Sequence, residues 1–380
     1  MKVTVIIALI YSWGVLQAQS LYNQSVISIG PSGVLFVKDS IVNNGTIINN
    51  GDMQVGGSWI NNSQYDAGHG QITFNSDLPQ VINHNDQSFS KLTIRGGGKK
   101  FFRANITIEN VLDLSDGILI SENGARMIIS SSAQITGGSD NAHIRGAVYH
   151  QGSGDKVFPL GNGTLYLPVE LLNVEGSAAE IGIKPVELEG ALLQASPSLS
   201  AVSANRYWEV DVVSGFLNNS KVILPVRDEQ IANIVNQVVV AQAETVTGLF
   251  ENIGQSKFEG SVGNGKVTSD QPLKMPFLAV GTASEGGAIV VYNAVSANND
   301  MRNDFLFIGN IENYPENKFS LFNRWGDKIF EIENYDNKER VFKGKSNING
   351  EKTLVSGTYF YTIETKKGSL KVNGFLSLKN

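Results

Sequence analysis

From Ile41 the chain alternates short apolar pulses with Asn/Gly corners at a spacing of six residues. Ile41, Ile47, Met53 and Trp59 mark the pulses. Asn43-Asn44-Gly45, Asn49-Asn50-Gly51 and Asn61-Asn62-Ser63 keep the same phase, with Val55-Gly56-Gly57 in the third cycle. A short strand and a corner repeated in phase is the pattern of a β-solenoid, in which each apolar residue faces the core and successive coils stack. Asn and Gly suit the corners because both tolerate left-handed backbone. Stacked Asn side chains can also form hydrogen-bonded ladders between coils. The spacing returns in Ile106, Leu112 and Ile118, echoed by Leu114 and Ile120, and weaker pulses run from Met127 to Ile144. Gln80-Val81-Ile82 and Phe89-Ser90-Lys91-Leu92-Thr93-Ile94 read as rungs between them. A run of hairpins in an antiparallel sandwich is the alternative architecture.

Around Val157-Phe158-Pro159-Leu160-Gly161 the rhythm changes. Strand-like runs follow at Tyr166–Leu171, Glu180–Ile183, Arg206–Val212, Lys221–Val226, Val238–Ala241 and Phe277–Gly281, which predicts an antiparallel sandwich. Within the third run, Tyr207, Glu209 and Asp211 alternate with Trp208, Val210 and Val212, so the first set faces water and the second the core. Trp208 reads as a core anchor, with a sugar-stacking platform as the other reading. Helical periodicity is confined to two candidate connections, Leu188–Leu193 and Asp228–Val235. Ala283-Ser284-Glu285-Gly286-Gly287-Ala288 reads as a linker.

The beginning of the chain has the layout of a secretory signal peptide over residues 1–20. Met1-Lys2 is positive, Val3 to Leu16 is apolar, and small residues allow cleavage after Ala18 or Ser20. No later stretch approaches the roughly 20 continuous apolar residues of a spanning helix.

Composition narrows the chemistry. The 380 residues include no cysteine, which excludes disulfides, thiolate metal sites and a cysteine nucleophile. A net charge of −6 with only 17% charged residues argues against nucleic acid, which needs a basic face. His69, His84, His143 and His150 stand at unrelated spacings and read as surface or turn residues rather than metal ligands. Gly96-Gly97-Gly98-Lys99-Lys100 lacks phosphate-loop spacing and reads as a flexible turn. Asp113 with Asp116, and Glu209 with Asp211, are acid pairs of the kind glycoside hydrolysis uses, but proximity in sequence favours solvated faces. No catalytic set emerges, so an enzyme is not expected. Asn-x-Thr triplets such as Asn44-Gly45-Thr46 and Asn105-Ile106-Thr107 read as incidental.

The last ninety or so residues carry five separated motifs in order: Val291-Tyr292-Asn293-Ala294-Val295-Ser296, Asn303-Asp304-Phe305, Phe322-Asn323-Arg324-Trp325-Gly326, Gly357-Thr358-Tyr359-Phe360-Tyr361 and Gly374-Phe375-Leu376-Ser377-Leu378. Over residues 290–380 they resemble the gliding-motility-associated C-terminal domain, the type B sorting domain of type IX secretion cargo in Bacteroidota. Physically, Phe319 and Leu321 share one face of a hairpin that turns at Gly326, and Trp325 is expected to cover the core beside it. Tyr359, Tyr361 and Ile363 alternate along a second strand, Lys366-Lys367-Gly368 turns it, and Leu370 to Leu378 closes the sheet.

The segment departs from the family pattern twice. Ser296-Ala297-Asn298-Asn299-Asp300-Met301-Arg302-Asn303-Asp304 lacks the family's proline and both glycines, and Phe342-Lys343-Gly344 replaces a tryptophan before Asp-Gly. The family's loop implies a weak Ca²⁺ site at Asn298, Asp300 and Asp304; no other cofactor is expected. The N-terminal repeat also looks like the β-helical stretches of Bacteroidota surface proteins, and Asp39-Ser40-Ile41 resembles their O-glycosylation tripeptide, with Ser40 as acceptor.

These readings combine into an all-β chain: signal peptide 1–20, β-solenoid 21–155, β-sandwich 156–285 and sorting domain 286–380. The resemblance implies export through the periplasm to the cell surface or medium, with the type IX outer-membrane machinery as partner. The cargo reads as an adhesin-like or structural binding module for a glycan or surface protein. A β-helical polysaccharide-degrading enzyme and a passive spacer or filament subunit are the alternatives.

Overall fold

The computed structural model describes residues 16–227, 235–284, 289–298, 302–365 and 371–379. The apolar stretch over residues 1–15, most of the Asp228–Val235 candidate, the linker residues 285–288, Asp300 and the Lys366-Lys367-Gly368 turn lie outside them.

The six-residue period becomes the sides of a triangular coil. Ile41, Ile47, Met53 and Trp59 are all fully buried, each on a successive strand, and Ile41 and Trp59 are register partners one coil apart. Three parallel ladders result. One runs Leu21–Asn23, Ile41–Asn43, Trp59–Asn61, Gln80–Asn83, Lys100–Phe102, Leu119–Ser121 and Ile144–Arg145. A second stacks Val26–Ile29, Thr46–Asn49 and Gln64–Asp66. The third begins with Leu16–Ala18 on Val34–Val37 and continues through Asp52–Val55 and Gln71–Phe74. In Ser88–Ile94 and Ile106–Leu114 two sides fuse into one bent strand, with a register shift between Phe89 and Lys91, and they separate again into Arg126–Ile129 and Gln134–Gly137. The solenoid has about six turns, so the antiparallel alternative is set aside.

The later repeat slips phase. Ile106, Leu112 and Leu114 are buried as expected, but Ile118 and Ile120 are only half-buried and Leu119 takes the core position. Gly117, at φ 124, reorients the chain there, and the strand starts one residue later than the period implies.

Some corners take left-handed backbone as expected, at Gly68, Asn85, Gly96, Gly97, Asn123 and Gly124, but the first ones do not. Gly45 and Gly51 do not adopt left-handed backbone; a Cβ on either would collide with the backbone of the coil beneath, at Ser25 and at Gly33. At these two corners glycine is needed for close stacking, not for handedness. The preceding Asn residues turn inward and bond between coils. Asn23 Nδ2 donates to Asn43 Oδ1, and Asn43 Nδ2 donates to Asn61 Oδ1, each at 2.7 Å.

The next position in this ladder is His84. Its Nδ1 accepts from Trp59 Nε1 at 3.0 Å, so Nε2 carries the proton donated to Ser88 O at 3.1 Å. The ring stacks on Phe89 with centroids 3.7 Å apart. Burial lowers the His84 pKa to about 3. Three of the four histidines are buried rather than on turns, because a neutral imidazole needs only two partners to enter a core. His150 Nε2 donates to Val157 O at 2.7 Å, its pKa lowered by burial to about 4. His143 bonds Ser139 O and Gly163 N.

The glycine-rich turn is tied down as well. Gly96 and Gly97 take positive φ, and buried Lys100 donates to Ser76 O and Gly98 O at 2.7 and 2.9 Å. Burial lowers its pKa to about 8. The expectation of flexibility fails because the lysine replaces water as the donor to those carbonyls.

The solenoid passes into the sandwich without a break in sheet or core. Ala147–Gln151 pairs in parallel with Arg126–Ile129 on one side and antiparallel with Glu180–Ile183 on the other. The long strand Val169–Glu187 then serves both sheets, pairing Glu170–Leu172 with Lys221–Ile223 and Glu180–Glu187 with the Arg206–Phe216 strand. Arg227 forks onto Asp140 at 2.5 and 3.1 Å, clamping the Lys221–Arg227 strand to the last solenoid turn. Trp208 is fully buried, as a core anchor is.

Two expectations fail here. Val212 is exposed; its strand keeps Ile181 as a partner there but has passed the end of its pairing with the Phe277–Ala283 strand, which stops at Glu209. Leu188–Leu193 is irregular rather than helical, an exposed connection between strands.

Residues 289–379 have a core of their own around Phe319, Leu321, Tyr335, Phe342, Tyr361 and Ile363. Among the described residues their main sheet has the order Ala294–Ser296, Lys371–Lys379, Gly357–Thr365, Asn317–Phe322, Lys328–Glu333. Phe342 is fully buried against Phe330 with ring centroids 5.0 Å apart. An aromatic core residue is therefore kept where the family's tryptophan is missing.

Candidate functional site

Strand alternation divides the C-terminal sheet into two faces. Phe319, Leu321, Tyr359, Tyr361, Ile363, Leu376 and Leu378 point into the core. The residues between them point outward and stack by register into three rows. Phe322, Phe360 and Phe375 form the first, Ser320, Thr362 and Asn373 the second, and Lys318, Glu364 and Lys371 the third. The third row is a solvated charge pattern, with Lys371 Nζ 2.8 Å from Glu364. The second is polar, with Thr362 Oγ1 donating to Asn373 Oδ1 at 3.0 Å. The first is aromatic, and Phe360 and Phe375 are 48% and 56% exposed.

The aromatic row meets the hairpin turn Asn323–Asp327. Asn323 builds that turn: its Oδ1 accepts from Trp325 N and Asp327 N, and its Nδ2 donates to Asp327 Oδ2, all at 2.9 Å. Gly326 adopts φ 85, which an L side chain resists. Trp325 does not cover the core. It is 78% exposed, with the Arg324 guanidinium 5.3 Å from its ring centroid, because the inward positions beside the turn are already taken by Leu321 and Phe330.

Turn and row enclose an open groove of about 610 Å³ lined by Phe322, Asn323, Arg324, Gly326, Phe360, Tyr361, Thr362, Asn373, Gly374 and Phe375. Three of the sequence motifs thus converge on one surface.

That surface belongs to a matched family segment. Residues 289–378 match the CHU_C Type IX secretion signal domain. No curated protein matches the chain, and no solved structure does. A signal domain of this family directs its protein to the cell surface or the extracellular space. Its motif residues fall into three places. Phe322, Asn323, Arg324, Gly326, Tyr361 and Gly374 line the groove, while Trp325, between two of them in the turn, is exposed and not part of its lining. Gly357, Thr358 and Tyr359 open the strand that carries Phe360, with Tyr359 Oη donating to Val355 O at 2.7 Å. Asn293 and Ser296 lie at the two ends of the edge strand that pairs with Lys371–Lys379, and Asn303 and Asp304 in the loop that follows it. Ser377 N donates to Asn293 O at 2.7 Å, and Ser296 N to Asn303 O at 2.8 Å. Asn303 is left-handed at φ 54.

The loop proposed for Ca²⁺ includes Asp300, outside the described residues. Among the described residues, no three His, Cys, Asp or Glu side chains gather as a metal site. Asn298 N donates to Ser296 O at 2.9 Å.

Phe360, Thr362, Asn373 and Phe375 were not among the site residues expected from sequence. The signal was present in Gly357-Thr358-Tyr359-Phe360-Tyr361: if Tyr359 and Tyr361 are buried, Phe360 must face outward.

At the other end of the chain, Ala18 lies in a strand register with Val37, and Ser20 Oγ donates to Asp39 Oδ2 at 3.0 Å. Ser40 Oγ accepts from Ser58 N at 3.0 Å and donates to Asp39 Oδ1 at 3.2 Å, at a corner between coils. The acid pairs are engaged on the surface. Asp113 accepts from Ser115 Oγ at 2.8 Å, Glu209 pairs with Lys184 at 2.9 Å and Asp211 accepts from Tyr149 Oη at 2.7 Å.

Proposed function

We propose that the protein is cargo of a type IX secretion system, handed to the outer-membrane machinery through residues 289–378. Residues 21–285 then act outside the cell as an adhesin-like or structural binding module. The observation that carries the reading is the family match over a separately cored C-terminal unit. A leader at residues 1–20, cut after Ala18 or Ser20, would deliver the chain to the periplasm, and Ser40 would be an O-glycan acceptor. The binding role is supported by the solenoid, whose flat ladders repeat polar side chains at the strand spacing of about 4.8 Å. On the outward face Asp52, Gln71 and Lys91 follow one another in register and are partly exposed, whereas Thr73 and Thr93 beside them are buried. Such a column suits an extended glycan or a neighbouring protein.

The test is export of the full-length chain and of a chain ending at Gly286, in a host with a working type IX system. Only the full-length protein is expected outside the cell. Equal export of both would overturn the reading. Retention on cells supports an adhesin, whereas release into medium, with turnover of a polysaccharide, would favour the enzyme instead.

A further inference from the structure

We propose that the Phe322–Phe360–Phe375 row and the Arg324 turn form the surface by which the outer-membrane secretion machinery docks the folded signal domain. This rests on the export reading above. The row is anomalous for an outward sheet face. Its two neighbouring rows are polar and charged, as solvated faces are, while three aromatic rings stand side by side across three strands. Exposed contiguous aromatics of this kind mark interaction sites, and aromatic and Arg side chains dominate the energetics of such sites.

The chemistry of the partner follows from the groove. Among its lining residues Arg324 alone is charged, and it sits at one end of the aromatic row. Lys328, the register partner of Phe322, is already paired with Glu331, so the cation that the groove offers is Arg324. The complementary surface is therefore a protein segment that presents apolar side chains to the rings and a carboxylate to Arg324. The geometry of the sheet makes the surface available only after folding, since Phe322 must be brought from a distant strand to the pair that carries Phe360 and Phe375. A machinery that reads this row reads a folded domain.

The experiment compares extracellular yield of wild type, Phe360→Ser with Phe375→Ser, Arg324→Glu, and the chain ending at Gly286, in cells with a working type IX system. Periplasmic protein is scored for folding by protease resistance. Both surface variants are expected to fold and to lose about tenfold or more in export, as hot-spot truncation does. Arg324→Glu is the safeguard, because its side chain contributes nothing to the core and a folding failure there is not expected. Wild-type export of folded Arg324→Glu, and of the double variant if it folds, would overturn the docking surface. If that happens while the truncated chain stays inside, the sorting role stands and only its surface is wrong. If the truncated chain is exported too, the export reading itself falls.

Discussion

Tyr361 lies across Gly374, its register partner on the neighbouring strand, so closely that a Cβ on Gly374 would collide with the ring and its hydroxyl. The ring also stacks on Phe319 with centroids 6.2 Å apart, so it cannot withdraw. Overpacking of this kind costs typically about 1–3 kcal/mol. Gly374→Ala is expected to destabilise the signal domain by that order. Combined with Tyr361→Ala, which removes the ring, the second substitution should cost much less, a coupling that urea unfolding of the four chains would show. Additive costs would mean that the contact is slack.

Phe342 and Trp325 offer a contrast between a buried and an exposed aromatic. Phe342→Ala is expected to cost about 3–5 kcal/mol of domain stability, and Trp325→Ala within about 0.5 kcal/mol. Equal losses in thermal or urea unfolding would place Trp325 in the core after all.

The buried Asn ladder should carry unequal weight from its exposed counterpart. Asn43 accepts from Asn23 and Gly45 and donates to Asn61 and Gln64 O. Asn43→Ala orphans several buried groups at once and is expected to cost about 3 kcal/mol or more. Asn62, which donates to Asn44 on the exposed corner at 2.9 Å, should tolerate alanine with a loss below about 1 kcal/mol. Differential melting of the two variants decides it.

Acid should weaken the solenoid through His84. Its folded pKa of about 3 lies below the ordinary value of 6.5, so the unfolded chain binds the extra proton. Its stabilising share is full above pH 6.5 and is lost as pH falls from 6.5 toward 3, at about 1.4 kcal/mol per pH unit. His150, at about 4, adds to the same fall over pH 6.5 to 4. The melting temperature should drop steeply between pH 6.5 and 4.5, and His84→Asn should flatten the slope by about one proton's worth. An unchanged slope would show that His84 is not the group that resists protonation.

Much of this was legible in the chain, for a local reason. A six-residue period needs only the geometry of a short strand and a corner, so Ile41, Ile47, Met53 and Trp59 announced a coil before any contact was known. Alternation likewise placed Phe319, Leu321, Tyr359, Tyr361 and Ile363 inward, and five ordered motifs marked the signal domain.

What only the tertiary structure decided depended on residues distant in sequence. Val212 is exposed where its strand has passed the end of its pairing with the Phe277–Ala283 strand, and Trp325 because Leu321 and Phe330 already fill the interior beside the turn. His84 is buried because Trp59, a coil away, donates to it. Phe322, Phe360 and Phe375 form one row only through the pairing of three strands. Periodicity says which side of a strand is apolar; what lies against that side, or is left uncovered, is set by long-range pairing that no local pattern encodes.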